Sequence, residues 1–190
     1  MTQLKTLDLH KNPLGRVPSV EAMPELHTLD LSDTGIDRIP PGLLTRNDLE
    51  AAFLSDNQIS ELPATLFDLP PNKSVAFDLS GNPLLPTTLE RVKTYYQQHG
   101  VYWEADALAV DVRDAKQLYP SLDDNQINQL IYSLPGDLEA GRRELARLTG
   151  ELDTLQLELN DWAQQPQIQP VESNRRTALK ALLEKSWRRE

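Results

Sequence analysis

The sequence predicts an α/β fold built from short repeats and followed by an all-α region. Three observations carry that reading: a leucine pattern that recurs four times before residue 87, a strand-like alternation inside each copy, and helical periodicity with no further copies after residue 103. The first two copies are Leu4-x-x-Leu7-x-Leu9-x-x-Asn12-x-Leu14 and Leu26-x-x-Leu29-x-Leu31-x-x-Thr34-x-Ile36. The other two are Leu49-x-x-Ala52-x-Leu54-x-x-Asn57-x-Ile59 and Ser74-x-x-Phe77-x-Leu79-x-x-Asn82-x-Leu84, with spacings of 22, 23 and 25 residues between the Asn/Thr positions. This is the leucine-rich-repeat pattern. The predicted class is therefore an α/β leucine-rich-repeat solenoid of about four repeats, then an all-α region with a long heptad helix and an antiparallel C-terminal helix.

Within each copy the apolar positions point inward, where no single repeat could bury them alone, so stacked neighbours must share one core. The alternation in Leu7-Asp8-Leu9 has the period of a strand. The resemblance to leucine-rich repeats, in which the asparagine at this position satisfies turn backbone groups, implies a structural role for Asn12, Asn57 and Asn82, with Thr34 as a weaker substitute. Arg16-Val17-Pro18, Arg38-Ile39-Pro40 and Glu61-Leu62-Pro63 follow the strands, and a fixed proline φ suits an extended or single-turn return path.

Three segments are expected: repeats over residues 1–86, a capping helix and aromatic cap over 87–103, and a helical region over 104–190. Thr87 with Glu90 offers a capping box for a helix running to about Gln98 and closed by His99-Gly100. Tyr95, Tyr96, Tyr102 and Trp103 are expected to cover the end of the repeat core. After a linker over 104–111 come helices near 111–118 and 121–134, the second started by Ser121 and ended by Pro135-Gly136. A long helix from Asp137 places Leu138, Leu145, Leu148, Leu152, Leu155, Leu159 and Trp162 on a heptad seam that contains Gly150. Residues 164–170 form a turn. A last helix from Ser173 then sets Ala178, Leu179, Leu182, Leu183 and Trp187 on one face, antiparallel to the seam or replaced there by another subunit or by residues beyond this chain.

Composition narrows the function. The 190 residues carry a net charge of −10, with 6 Lys/Arg against 12 Asp/Glu before residue 87, 7 against 14 over residues 87–171, and 6 against 3 after that. A negative field of this size argues against phosphate-backbone binding, so no nucleic-acid partner is expected. No apolar run is long enough to span a membrane, and no Sec signal precedes the first repeat. The chain has no cysteine, which removes disulfides, thiolate metal sites and thioester chemistry from this polypeptide. No cofactor and no metal site are expected: His10, His27 and His99 are scattered, and Asp123-Asp124-Asn125 lacks the glycine and terminal Glu of a calcium loop. Ser32, His10 and Asp30 lie on neighbouring strands but lack a nucleophile elbow or oxyanion donor, so no catalytic residue is assigned.

The outward strand positions form a small acidic surface with one aromatic. Asp8, Asp30, Phe53 and Asp78 make one row, and Asp33 and Asp56 lie further along the same face. These six are the candidate partner-binding residues, with Phe53 as anchor for a basic segment, since buried aromatics dominate interface energetics. The bland alternative is that an aspartate in Leu-Asp-Leu-Ser is solvated strand surface.

The repeat block together with Gly81-Asn82-Pro83-Leu84, Thr88-Leu89-Glu90-Arg91-Val92, Tyr95-Tyr96-Gln97-Gln98, Val101-Tyr102-Trp103, Leu118-Tyr119-Pro120-Ser121-Leu122, Leu134-Pro135-Gly136, Arg142-Arg143-Glu144-Leu145 and Ser186-Trp187-Arg188-Arg189 resembles the bacterial, pseudomonad-type leucine-rich-repeat effectors of the NEL-type ubiquitin ligase family. The resemblance spans nearly the whole chain. It implies that the repeats select a host protein in the host cytoplasm after export without a Sec signal. It also implies a separate domain that takes ubiquitin from a conjugating enzyme onto the cysteine of a Cys-x-Asp motif. No residue here can take that cysteine's role, so any ligase activity and any contact with a conjugating enzyme are expected on residues outside this chain, and sequence ahead of residue 1 is expected too. The other reading is a stand-alone, non-catalytic adaptor or scaffold.

Overall fold

The computed structural model describes residues 3–74 and 77–164. Four short strands, β1 (Thr6–Asp8), β2 (Thr28–Asp30), β3 (Ala51–Phe53) and β4 (Phe77–Asp78), pair in parallel in the order β1-β2-β3-β4. Their register aligns Asp8 with Asp30, Asp30 with Phe53, and Phe53 with Asp78. Six helices complete the described residues: α1 (Ala64–Phe67), α2 (Pro71–Ser74), α3 (Pro86–His99), α4 (Ala109–Leu118), α5 (Asp124–Ser133) and α6 (Leu138–Gln164).

The predicted fold class is overturned. In place of a solenoid carrying an all-α tail, the structure has a small sheet of four parallel strands, each two or three residues long, and six helices that account for far more of the described chain. The physical reason is a shared core. Leu29, Leu31, Leu54 and Leu79 of the sheet layer are fully buried in one apolar cluster with Leu89 and Tyr95 of α3, Ala115 of α4, Ile127 and Ile131 of α5, and Leu138 and Leu145 of α6. The helices pack into the same interior as the strands. The predicted C-terminal helix and the turn before it lie outside the described residues. The chain divides into two compact units, Met1–Thr149 and Gly150–Glu190. Of the second, residues 150–164 are described as the later turns of α6, where Leu152, Leu155 and Leu157 are exposed.

Several boundaries move for identifiable reasons. α3 starts at Pro86 with Leu85 as N-cap and no side-chain cap, because proline is preorganised for a first helical turn, so the Thr87 capping box does not form. Gly100 closes that helix at φ 68°, as expected of a glycine in left-handed geometry. α5 begins two residues later than a Ser121 cap would place it, because Asp123 and Gln126 form a reciprocal capping box.

Two asparagines hold the loops after the strands. Buried Asn57 accepts from the backbone N–H of Thr34 (3.0 Å) and Ile36 (3.2 Å), and donates to Leu31 O, Leu54 O and Ser55 O. Asn82 accepts from Ile59 N (3.1 Å) and donates to Leu54 O and Leu79 O. At the far edge, Leu79 N donates to Trp103 O (3.0 Å) and Gly81 N to Asp106 Oδ2 (2.7 Å), so the segment after α3 covers β4. Asn128 of α5 repeats the asparagine's service there, accepting from Ala107 N at 2.9 Å.

Trp103, Tyr95 and Phe67 close the apolar interior next to this edge. Tyr95 stacks on Trp103 at 4.6 Å and Phe67 meets it edge-on at 5.4 Å, while Arg91 lies 4.0 Å above the Phe67 ring.

Candidate functional site

The six candidate residues fall into two structural roles. Asp8, Asp30 and Asp78 end their strands, and each carboxylate turns back on the residue two further on. Asp30 accepts from Ser32 N at 2.9 Å and from the Ser32 hydroxyl. Asp78 does the same with Ser80, at 3.0 Å to the amide and 2.7 Å to the hydroxyl. Asp8 accepts from His10 N at 3.1 Å and contacts the His10 ring at 2.6 Å. The His10 ring hydrogen bond holds the Asp8 carboxyl below its ordinary value, so this carboxylate stays charged in mild acid.

Asp33 and Asp56 serve the bend itself. They sit at φ 53° and 56°, left-handed geometry that aspartate tolerates better than most residues, and Lys11 and Gly81 occupy the same place in the other copies at 56° and 67°. A Cβ at residue 81 would stand 3.1 Å from Asp56 N and would require the exposed Asp56 carboxylate to swing aside. Both aspartates keep their side chains exposed.

Phe53 stands apart from the other five. It is 41% exposed on a strand whose neighbours Ala52 and Leu54 are fully buried, and no hydrogen-bonding duty explains its position. The register brings it between Asp30 and Asp78 on adjacent strands, roughly 4.8 Å from each by ordinary strand spacing. The face thus presents an apolar ring flanked by carboxylates, with Asp8 beyond Asp30. Like charges on neighbouring strands repel, and a cationic ligand relieves that repulsion.

The carboxylates of Asp8 and Asp30 and the His10 ring lie within 4.8 Å of one another. The strand register, which sets Asp8 beside Asp30, and the His10–Asp8 hydrogen bond account for their closeness. Ser32 bonds Asp30 and His10 bonds Asp8, so the hydroxyl and the imidazole are engaged separately and no nucleophile–base pair forms between them.

The helical side contains polar groups whose partners the sequence did not announce, Lys93 and Asp111 among them fully buried. Lys93 of α3 is fully buried and donates to Ile131 O (3.0 Å), Tyr132 O (3.3 Å) and Leu134 O (2.6 Å), capping the C-terminal end of α5. Burial pulls its ammonium below the ordinary lysine value, against the opposing pull of Glu90 and Asp137. One turn earlier, Glu90 accepts from Leu138 N (3.0 Å) at the start of α6. Asp111 of α4, 1% exposed, receives both a 2.7 Å and a 3.1 Å bond from Arg142 of α6. The helical spacing of Glu90 and Lys93 was the available signal, but nothing local announced their distant partners.

No helix among the described residues is long and apolar enough to cross a membrane. A comparison with known protein families and with curated proteins found no match to this chain.

Proposed function

We propose that this chain is a protein-recognition element: the substrate-binding portion of a secreted bacterial ubiquitin-protein ligase effector of the NEL type, acting on a host protein and performing no catalysis itself. The observation that carries the recognition reading is the exposed Phe53 held between Asp30 and Asp78 on rigid, register-paired strands. An aromatic anchor on a preorganised surface costs little entropy to bind against, and the surrounding carboxylates favour a lysine- or arginine-bearing segment. The ligase assignment is supported by the sequence resemblance. Because the chain has no cysteine, the thioester step of such a ligase would require residues other than these.

Two experiments test the two halves separately. Peptides with a leucine or aromatic residue flanked by lysine or arginine should bind the full chain in a salt-sensitive manner, and Phe53→Ala should weaken the binding by about tenfold or more. Binding indifferent to both Phe53→Ala and Asp56→Asn would sink the face as a recognition site. Reading the coding sequence past codon 190 tests the ligase assignment: a Cys-x-Asp motif in a helical domain supports it, and a stop codon overturns it in favour of a non-catalytic adaptor.

A further inference from the structure

We propose that the exposed face around Phe53 takes an amphipathic, basic α-helix of a partner protein, laid across the strands. The inference rests on the recognition reading above and adds to it the shape of what is recognised. The residues that define the face lie one per strand: the register sets Asp30 of β2 beside Phe53 of β3, and Phe53 beside Asp78 of β4. Each neighbouring pair is therefore about 4.8 Å apart and the two aspartates about 9.6 Å apart, one and two ordinary strand spacings. A partner meets all three only by crossing the strands. Laid along β3, it would meet Ala51, Phe53 and Ser55 and neither aspartate, because alternate residues of a strand share a face.

The spacing separates a helix from an extended chain. On one face of a helix, residues three or four apart stand about 5–6 Å from one another, and residues seven apart about 10.5 Å. A cation at i, a leucine or aromatic residue at i+4 and a cation at i+7 thus meet Asp30, Phe53 and Asp78 in turn. An extended chain repeats its side chains on one face only every 6.7 Å or about that, and the residue that spans the distance between the aspartates points to the opposite side. The surroundings leave room for a helix. Thr28, Ser32, Ala51 and Ser55, which flank the row on the same face, are small and half-buried.

The two carboxylates are set for cations. In both Asp30 and Asp78, Oδ1 takes the two bonds from the serine two residues on, and Oδ2 takes none among the described residues. The ion pairs among those residues leave both aspartates out. Each serine therefore fixes a carboxylate without neutralising it. Charge complementarity steers a basic segment to this face, and carboxylates already held in place lower the ordering cost of binding it. Anchors at i, i+4 and i+7 are the pattern by which an amphipathic helix reads a surface.

The test adds three alanine- and glutamine-based peptides to the isotope-labelled full chain. The first carries lysines at i and i+7 and a leucine at i+4, all on one helix face. The second moves the leucine to i+2, on the opposite face, with composition and charge unchanged. The third is the first with prolines at i+2 and i+5, which break the helix. The first should give saturable amide shifts at Thr28–Ser32, Ala51–Ser55 and Asp78–Ser80 and bind about tenfold more tightly than either control. Asp78→Asn, which keeps an acceptor for Ser80, should weaken it about threefold, a difference that high salt removes. Equal binding of the proline peptide or of the displaced-leucine peptide would overturn the helix and leave the recognition reading standing. Failure of the first peptide to bind at millimolar concentration would overturn it as well; the recognition reading falls with it only if the lysine- and arginine-flanked peptides described above also fail.

Discussion

Asn57 and Asn12 occupy the same position in the leucine pattern and do very different amounts of work. Asn57 is 1% exposed and bonds both the loop before it and the strand ends beside it, whereas Asn12 is exposed and bonds only its own turn. Asn57→Ala should therefore cost about 3 kcal/mol or more, because it strands several buried backbone groups at once, while Asn12→Ala should cost under about 0.5 kcal/mol. Urea midpoints of the two variants compare them directly, and equal losses would refute the account. The asparagines' structural role was legible because their recurring position matches the one that leucine-rich repeats use to hold their turns. The double duty of Asp30 and Asp78 was not, since an aspartate that folds onto the serine two residues ahead reads, in sequence, like any solvated strand residue. Lys93 was illegible for a similar reason: lysines are almost always exposed, and only the carbonyls of α5, some forty residues later, make a buried one tolerable.

Strands and helices differed in how far the sequence located them. The strands overlap the alternating triplets, Thr6–Asp8 against Leu7–Leu9 in the first copy, because burial of every second residue leaves little freedom of register. Helix starts shifted by a residue or two wherever two capping arrangements competed, as at Pro86 against Thr87 and at Asp123 against Ser121. Packing between helices was invisible, because the pair that joins α4 to α6 is thirty-one residues apart. That pair makes an asymmetric prediction. Arg142→Met leaves Asp111 buried and bare and should cost about 3–5 kcal/mol, whereas Asp111→Ala frees a side chain already 37% exposed to reach water and should cost nearer 2 kcal/mol. Chemical denaturation of both variants measures the difference; a larger loss from Asp111→Ala would show that the burden lies elsewhere.

For the molecule as a whole, the sequence conveyed short strands followed by helices, but the solenoid it predicted was wrong, because the later helices share one interior with the strands. The aromatic cap of Tyr95 and Trp103 was expected at the repeat core, but nothing in the leucine pattern says that Ile127 and Leu138 will join it. This shared core sets the alkaline behaviour. Burial raises the Tyr132 and Tyr102 hydroxyls well above their ordinary value of 10.0, so both stay protonated in the fold after they would ionise in the unfolded chain. Above about pH 10 the folded state thus binds more protons, and stability must fall with pH, by about 1.4 kcal/mol per unit for each such tyrosine. Lys93 acts in the opposite sense, adding stability as pH rises only until the ordinary lysine value of 10.5 is passed. Urea midpoints from pH 9 to 11.5 should drop steeply at the top of that range. Tyr132→Phe, although it loses the 3.0 Å bond to Ala105 O, should drop less steeply; an unchanged slope would contradict the assignment.

Glu90 and Lys93 bring one further consequence, for dissecting the chain. They grip the corner between α5 and α6 from a helix that precedes both, with an anion at one helix start and a cation at the other helix end. A fragment cut before residue 104, where composition invites a boundary, would carry the corner without its grip. The carbonyls of Ile131, Tyr132 and Leu134 would lose their ammonium, and Leu138 N its carboxylate. Such a fragment is better made to begin ahead of Pro86, so that α3 travels with the helices it fastens.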